Sequence, residues 1–197
     1  VYNVKYYNLD ALGTFISEWS AVIERDFNHP SIILWCPLNE TWRDLVDNRK
    51  TRDVRFIDSV YQVTKALDNT RPCVDVSGGY HGNNTDLYDF HCYESYDNLK
   101  NYLEELSKNG KLFVPLLYDK DENRLLYTKG QPVNVSEFGG IQFAKNITEN
   151  KVSSVNEGAV ESSESWGYGE GATDENVFVE RYKDLVELIK SYSEISG

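Results

Sequence analysis

Two kinds of hydrophobic spacing alternate along this chain. Between residues 10 and 25 the apolar positions fall three and four residues apart, at 12, 15, 16, 19, 22 and 23, which predicts an amphipathic helix. Similar patterns predict helices over 51–67, 97–107 and 174–192, the last of them capped by Thr173 or Asp174. Short apolar runs lie between the helices and predict buried strands over 32–36, 73–76, 86–93 and 132–136.

The alternation of strands with helices favours βαβ units, and therefore a parallel sheet that helices cover. Two segments interrupt this alternation. Residues 116–131 form an excursion before the strand at 132–136. Residues 141–171 are polar and glycine-rich and contain Trp166, and the segment 141–164 is long for a plain loop. Long loops in compact domains are usually functional or mobile.

Composition narrows the class of protein. The chain has 197 residues, of which 40% are hydrophobic, so it can form one domain or a large piece of a bigger one. Its formal net charge of -12 repels phosphate backbones, which argues against a nucleic-acid partner. No apolar run in the sequence approaches the ~20 residues that a membrane span requires, so we expect no membrane partner.

The first residues, VYNVKYYNLD, contain neither an initiator methionine nor the apolar stretch of a signal peptide, so we expect the sequence to start inside a longer protein. The three cysteines, Cys36, Cys73 and Cys92, form no Cys-x-x-Cys pair, and each lies in or beside an apolar run. We predict that they are buried, reduced thiols. Reduced thiols favour a cytoplasmic location, while a periplasmic or secreted one stays open.

Two predicted strands end in a carboxylate. Glu40 closes the run ILWCPLNE, and Glu137 directly follows the apolar residues of VNVSEFGG. In parallel α/β folds the carboxyl ends of the strands share one face, so the two side chains should lie near each other. Glycoside hydrolysis requires such a pair, with one carboxyl protonated and the other ionised. Either glutamate alone could instead cap a helix or precede a tight turn.

Here the sequence resembles a known family. The run NHPSIILWCPLNE at 28–40 resembles the segment that ends the fourth barrel strand in glycoside hydrolase family 2, which includes β-galactosidases, β-glucuronidases and β-mannosidases. The resemblance implies that Asn39 binds the sugar and that Glu40 is the general acid/base. The segment VNVSEFGG resembles the seventh strand of the family barrel, which implies that Glu137 is the nucleophile.

Two weaker motifs extend the resemblance. YDFHCY resembles the sixth strand, which implies site roles for His91 and Tyr93, and SWGYGEG resembles the region of the eighth strand, which implies that Trp166 stacks against the sugar. Each of these residues also has a plainer interpretation. Asn39 could be a buried turn amide, His91 a hydrogen-bonded core histidine, and Trp166 a core aromatic. Trp42 could form a wall of the cleft.

The resemblance implies a (β/α)8 barrel of which residues 1–197 are the C-terminal portion, containing strands four to eight. The earlier strands would be missing, so we expect open sheet edges. We also expect uncovered apolar side chains on the inward faces, among them Ile33, Trp35, Val74, Val76, Phe90, Val133 and Val135. The chain should then self-associate as a homo-oligomer, or cover the gap with residues 1–7.

The favoured function is therefore a retaining, exo-acting β-glycosidase, β-galactosidase-like, which acts on a carbohydrate and needs neither cofactor nor metal. A truncated barrel that binds carbohydrate without catalysis is the alternative. A third possibility is another family with the same barrel, such as the endo-acting glucanases.

Overall fold

A computed structural model describes residues 9–41, 53–114, 127–143, 151–152, 159–161 and 166–197. Its helices are α1 (Leu9–Asp26), α2 (Val54–Leu67), α3 (Tyr96–Asn109) and α4 (Glu175–Lys190). Its strands are β1 (Leu38–Asn39), β2 (Val76–Ser77), β3 (Tyr88–Cys92), β4 (Val133–Phe138), β5 (Ile141–Phe143), β6 (Lys151–Val152), β7 (Ala159–Glu161) and β8 (Trp166–Ala172). Every predicted helix is present, and α3 is longer than expected.

Local chemistry explains where the helices begin and end. Asp53 and Ser95 cap α2 and α3 by accepting hydrogen bonds from the backbone of Arg55 and Asn98. Asp174, rather than Thr173, caps α4. Gly110 ends α3 in the left-handed conformation, with φ +61°, which glycine adopts without steric cost.

The strands pair in parallel, as predicted. β1 pairs with β2, β3 with β4, and β5 with β8, and in the described part of the chain these pairs belong to three separate sheets that do not close into a ring. The predicted limits of the first strand were wrong. Within 32–36 only Trp35 forms a bridge, to Cys73, and the ladder begins at Leu38.

The polar stretch 141–171 includes several strands. It contains β5, and β6, β7 and β8 form an antiparallel arrangement within the same sheet. Gly167 allows β8 to approach β5 closely, because a Cβ atom there would lie 2.4 Å from the backbone nitrogen of Gln142. Glycine is common in loops, but at position 167 it permits close contact between two strands.

Apolar side chains of the strands face the helices. Phe90, Val133 and Val135 belong to one cluster with leucines of α3 and α4, and Val76 belongs to a second cluster with α1 and α2. The expectation that Trp35, Val74, Val76, Phe90, Val133 and Val135 are left uncovered was therefore wrong, since all six are buried. Ile33 alone of that set is exposed, at 75%. Because successive side chains of a strand point to opposite faces, the polar residues between these apolar ones point inward.

Two further expectations have clear outcomes. Cys73 and Cys92 are buried, and burial raises the pKa of the Cys73 thiol to about 12 and that of Cys92 to about 11. Cys36 is exposed, against expectation.

The free edge of β4 is covered by the C-terminal residues, because Ser196 donates to the Val133 carbonyl at 2.7 Å and Val135 donates to the Gly197 carbonyl at 2.8 Å. Residues 1–7, expected to cover a gap, lie outside the described part.

Candidate active site

Glu40 lies at the carboxyl end of β1 in an unusual backbone conformation. Its φ of +46° makes it the one non-glycine residue with positive φ in the described part of the chain. Its backbone nitrogen donates to the Ser77 carbonyl at 2.9 Å, which ties the turn to β2. Gly79 permits the close approach, since a Cβ atom there would lie 2.8 Å from the backbone nitrogen of Thr41. Left-handed conformations of non-glycine residues concentrate at functional sites.

Glu137 reaches the same region because β4 contains a bulge. Asp89 pairs with Asn134, but His91 pairs with Glu137, so β4 has one more residue than β3 in this interval. Ser136 and Glu137 are consecutive, yet both side chains face inward. Ser136 donates to Asp89, and Glu137 accepts from Tyr93. Without the bulge Glu137 would face the helices.

His91 lies between the two glutamates. Its Nδ1 atom is 2.8 Å from Glu40 Oε1, a hydrogen-bond distance, and its Nε2 atom is 3.5 Å from Glu137 Oε1. The side chain is only 3% exposed, and Nε2 has no hydrogen-bond partner. Gly78 lies against the imidazole, because a Cβ atom there would come within 2.6 Å of three ring atoms. The ring is therefore held in place between the carboxylates.

Tyr93 completes the surroundings of Glu137. Its hydroxyl donates a short hydrogen bond to Glu137 Oε2. Burial, together with the hydrogen bond to Glu137, raises the pKa of the Tyr93 phenol above its ordinary value, so the hydroxyl stays a donor. The Tyr93 ring stacks on Tyr168 of β8, with centroids 4.0 Å apart and an interplanar angle of 5°. Tyr168 was not anticipated as a neighbour of the site.

The remaining predicted residues have different outcomes. Asn39 is the last residue of β1, and its Oδ1 atom accepts a 2.6 Å hydrogen bond from Ser77. Trp166 is the first residue of β8, where its backbone pairs with Glu161, but its side chain lies outside the description. Trp42 falls in a range that the structure does not describe. Glu40, His91, Tyr93 and Glu137 are therefore brought together, with Asn39 next to Glu40.

A buried network of polar side chains around Asp89 of β3 lies next to the site, and the sequence analysis did not predict it. Asp89 accepts hydrogen bonds from the Gly78 backbone, Asn134 and Ser136. Burial raises the pKa of the Asp89 carboxyl, because desolvation outweighs these three hydrogen bonds. The sequence did contain a signal for this network, because polar residues alternate with apolar ones in YDFHC and VNVSE.

His81 belongs to the same network. It is fully buried, its Nδ1 atom lies 2.6 Å from Asp75 Oδ1, and its Nε2 atom lies 2.8 Å from the Asp89 carbonyl. Burial alone would lower the pKa of His81, but the charge and hydrogen bond of Asp75 outweigh it and the pKa is raised. Both nitrogens face acceptors, which fits a charged imidazolium. The hydrogen bond from Nε2 to Asp89 ties the glycine-rich loop that follows β2 to β3, and the ion pair with Asp75 holds the imidazole in place.

The donor set of the site also has the composition of a metal site. Glu40, His91 and Glu137 offer ligand atoms that lie within 4.8 Å of one another, and they are the one such group in the described residues. The observed Nδ1–Oε1 distance of 2.8 Å is that of a direct hydrogen bond. In this arrangement Glu40, His91 and Glu137 could together supply a general acid or base and a nucleophilic carboxylate. A cavity of about 330 Å³ adjoins it, lined in part by Tyr93, Tyr96, Ile141 and Tyr168.

Comparisons with known proteins agree on the fold. The family model for the TIM barrel domain of glycosyl hydrolases family 2 matches residues 1–140. Among solved structures, the β-glucuronidase of Faecalibacterium prausnitzii matches with a TM-score of 0.53 at 16% sequence identity. That match covers 94% of this chain and 27% of the β-glucuronidase, so the chain spans about a quarter of its length. A search of curated proteins found no match. None of the described helices is long and apolar enough to cross a membrane.

Proposed function

The chain belongs to glycoside hydrolase family 2, as part of its TIM barrel domain, and from this premise we propose that it carries the catalytic pair of a retaining, exo-acting β-glycosidase. Family membership sets aside the endo-acting glucanase families. The observation that carries the proposal is the approach of Glu40 and Glu137, whose nearest ligand atoms, with those of His91, lie within 4.8 Å. Retaining enzymes hold their carboxyl groups ~5–5.5 Å apart, whereas inverting enzymes leave ~6.5–9.5 Å for a water molecule.

In the first step of the proposed mechanism, Glu137 attacks the anomeric carbon while the bond to the leaving oxygen breaks. Glu40 donates its proton to that oxygen, and a covalent glycosyl–enzyme ester forms on Glu137. Tyr93 steadies the attacking carboxylate through its hydrogen bond to Oε2. In the second step the ionised Glu40 removes a proton from water, which attacks the same carbon and releases Glu137.

The remaining residues are assigned to the sugar. Asn39, next to Glu40, would hydrogen-bond the 2-hydroxyl, a contact that strengthens as positive charge develops on the ring. Trp166 would stack against the sugar face. The cavity beside Tyr93 falls at the lower end of the ~300–1,000 Å³ range of ligand pockets, and it offers space for the group attached to the sugar.

A second candidate function is carbohydrate binding without turnover. It is favoured by the incomplete barrel, since the described sheets do not close and the chain spans 27% of the matched β-glucuronidase. In that case the site would bind a sugar but lack the walls that orient it for attack.

One experiment separates these functions. The purified chain is incubated with 2-deoxy-2-fluoro glycosides that carry a dinitrophenolate leaving group, in the galactose, glucuronic acid, mannose and glucose series. A retaining enzyme accumulates the covalent intermediate, so we expect mass spectrometry to find the sugar on the peptide that contains Glu137. The reactive sugar series identifies the substrate.

Two variants control the trapping experiment. Glu137→Gln should abolish labelling, while Glu40→Gln should still label, because dinitrophenolate departs without a proton. Sugar binding without labelling in any series would support the second candidate. Labelling of a different carboxylate would contradict the assignment of Glu137.

A further inference from the structure

One buried nitrogen atom of the candidate site has no hydrogen-bond partner. The His91 side chain is 3% exposed, and its Nε2 atom bonds to no other group of the described chain. Buried polar side-chain atoms usually have such a partner, so an unpaired one requires an explanation. Glu137 Oε1 lies 3.5 Å from Nε2, which is too long for a good hydrogen bond.

The separation of these two atoms is instead that of two ligands of one metal ion. Zinc binds imidazole nitrogen at ~2.0–2.1 Å and carboxylate oxygen at ~2.0–2.2 Å, so two such ligands at a tetrahedral angle lie ~3.4 Å apart. The Nε2 atom of His91 and the Oε1 atom of Glu137 are 3.5 Å apart. Their spacing therefore suits zinc without a change in the pairing of β3 with β4.

The other contacts of the two side chains are those that support metal ligands. A ligating histidine usually presents its second ring nitrogen to a carboxylate, and Nδ1 of His91 lies 2.8 Å from Glu40 Oε1. Ligating carboxylates are also hydrogen-bonded, and the Tyr93 hydroxyl donates to Glu137 Oε2, which leaves Oε1 for the ion. Gly78 lies against the imidazole and keeps the ring in its plane.

We propose that His91 Nε2 and Glu137 Oε1 bind a divalent transition-metal ion, with zinc preferred, and that Glu40 supports this site through Nδ1 of His91. Water molecules complete the coordination. An imidazole ligand favours zinc over magnesium, which binds oxygen atoms. The formal net charge of -12 attracts cations to the protein.

The bound ion acts as an inhibitor of the proposed glycosidase. Glu137 is the proposed nucleophile, and a carboxylate oxygen that shares its electron pair with zinc cannot attack the anomeric carbon. Zinc should therefore prevent formation of the glycosyl ester on Glu137, and a chelator should restore it. This consequence rests on the proposed function, whereas the metal site itself does not.

The binding test uses the purified chain and the metal ions alone. Zinc chloride is titrated into the chain in a non-coordinating buffer by isothermal titration calorimetry, with magnesium chloride as the comparison. We expect one zinc ion per chain and no saturable binding of magnesium. Cobalt(II) is a spectroscopic probe of the same site, and its visible absorption should intensify on binding and be lost when zinc is added.

Four variants locate the ion. His91→Gln and Glu137→Gln each remove one ligand and should abolish the cobalt bands. Glu40→Gln weakens the support of Nδ1 and should lower the affinity for zinc by roughly 10–100-fold, the usual effect of losing such a partner. His29→Gln is the matched control, since the His29 side chain is 62% exposed, and it should bind zinc as the wild type does.

Far-ultraviolet circular dichroism checks that each variant folds. If His91→Gln does not fold, Glu137→Gln carries the test, because the Glu137 side chain is 45% exposed. Absence of zinc binding to the wild type, unchanged binding in Glu137→Gln, or lost binding in His29→Gln would overturn the proposed site. Unchanged affinity or complete loss in Glu40→Gln would overturn the supporting role of Glu40.

Failure of the metal site can be told apart from failure of the proposed function. A chain that binds zinc but does not label with fluoro-sugars keeps the metal site and loses the glycosidase. Labelling of Glu137 in a chain that does not bind zinc keeps the glycosidase and overturns the metal site. Labelling that continues when zinc saturates the chain would overturn the inhibition.

Discussion

At the scale of single residues, Glu40 and Glu137 differ through their neighbours rather than through their own chemistry. Glu137 receives a hydrogen bond from Tyr93 and lies at the exposed end of β4, while Glu40 is more buried and bonds to His91. We therefore expect the two glutamates to respond differently when the leaving group is changed.

With a nitrophenyl substrate, Glu40→Gln should retain most of the rate of the glycosylation step, because nitrophenolate leaves without a proton. With an alkyl glycoside the same variant should lose roughly 10²–10⁴-fold, the usual contribution of general acid catalysis. Glu137→Gln should lose turnover on both substrates. Pre-steady-state kinetics on the two substrates checks this, and equal losses in the two variants on the nitrophenyl substrate would contradict the roles.

The backbone of Glu40 carries a cost that can be measured. An L-residue in the left-handed region is disfavoured by about 1–2 kcal/mol relative to glycine. Glu40→Gly and Glu40→Ala both remove the carboxylate, so their difference reports the backbone conformation without the loss of the charge. At φ +46° we expect Glu40→Gly to have a free energy of unfolding about 1 kcal/mol higher than Glu40→Ala in urea denaturation. Equal values would show that the turn relaxes in the variants.

At the scale of elements, His81 fastens the loop after β2 to β3 through the Asp89 carbonyl, and its buried ion pair with Asp75 holds it there. His81→Gln leaves a buried carboxylate without its partner, so the free energy of unfolding should fall by about 3–5 kcal/mol at pH 6. The double variant with Asp75→Asn should recover part of that loss, because it removes the unpaired charge. Urea unfolding of the three proteins provides the comparison.

The same pair gives a pH dependence with a definite sign. The folded pKa of His81 is raised, so the stability from its charge is fully present below the unfolded value of ~6.5 and is lost as pH rises through the folded value. Wild-type stability should therefore decline above about pH 6.5 by an increment that His81→Gln lacks. Parallel pH curves for the two proteins would rule out a charged His81.

The sequence specified the helices well, because their signals are local. The period of α1 and the cap of α4 at Thr173 or Asp174 depend on neighbouring residues, and the structure has α1 at Leu9–Asp26 and the α4 cap at Asp174. The direction that strand side chains face was predicted wrongly. Val133 and Val135 were expected to face inward, whereas they face the helices, since only pairing between distant segments decides which face is covered.

In the candidate site, too, the features that local sequence specifies were predicted, and those that depend on strand pairing were not. Glu40 and Glu137 were identified from strand ends and from a family resemblance, and the structure brings them together around His91. The bulge in β4 and the hydrogen bonds to Asp89 were not predicted. Both depend on the register between β3 and β4, which no local pattern in either segment encodes.

At the scale of the whole molecule, the inward side of the sheets is lined by polar groups such as Asp89, His91 and Asn134 rather than by the apolar residues expected there. Self-association through a wide apolar face is therefore not supported. The exposed Ile33, close to Trp35 on the first extended segment, is the contact that we expect to mediate a homo-oligomer.

Ile33→Lys should make the sedimentation coefficient independent of protein concentration, because it replaces an exposed apolar side chain with a charged one. Val179→Lys is the matched control, since Val179 is 54% exposed on α4, compared with 75% for Ile33. Analytical ultracentrifugation over a range of concentrations checks both variants. If wild type and Ile33→Lys sediment alike, association does not involve Ile33.

The extra residue of β4 has a consequence for how such a chain can change length. In a regular strand a single deletion moves every later side chain to the opposite face, so insertions and deletions are seldom tolerated there. Between Asn134 and Glu137 the strand is already one residue longer than its partner, so loss of Ser136 would restore a regular ladder with the glutamate still opposite His91. Loss of Asn134 would instead turn an apolar side chain inward. The bulge is thus the point in the pairing of β3 with β4 where a one-residue deletion could occur while Glu137 keeps its position opposite His91.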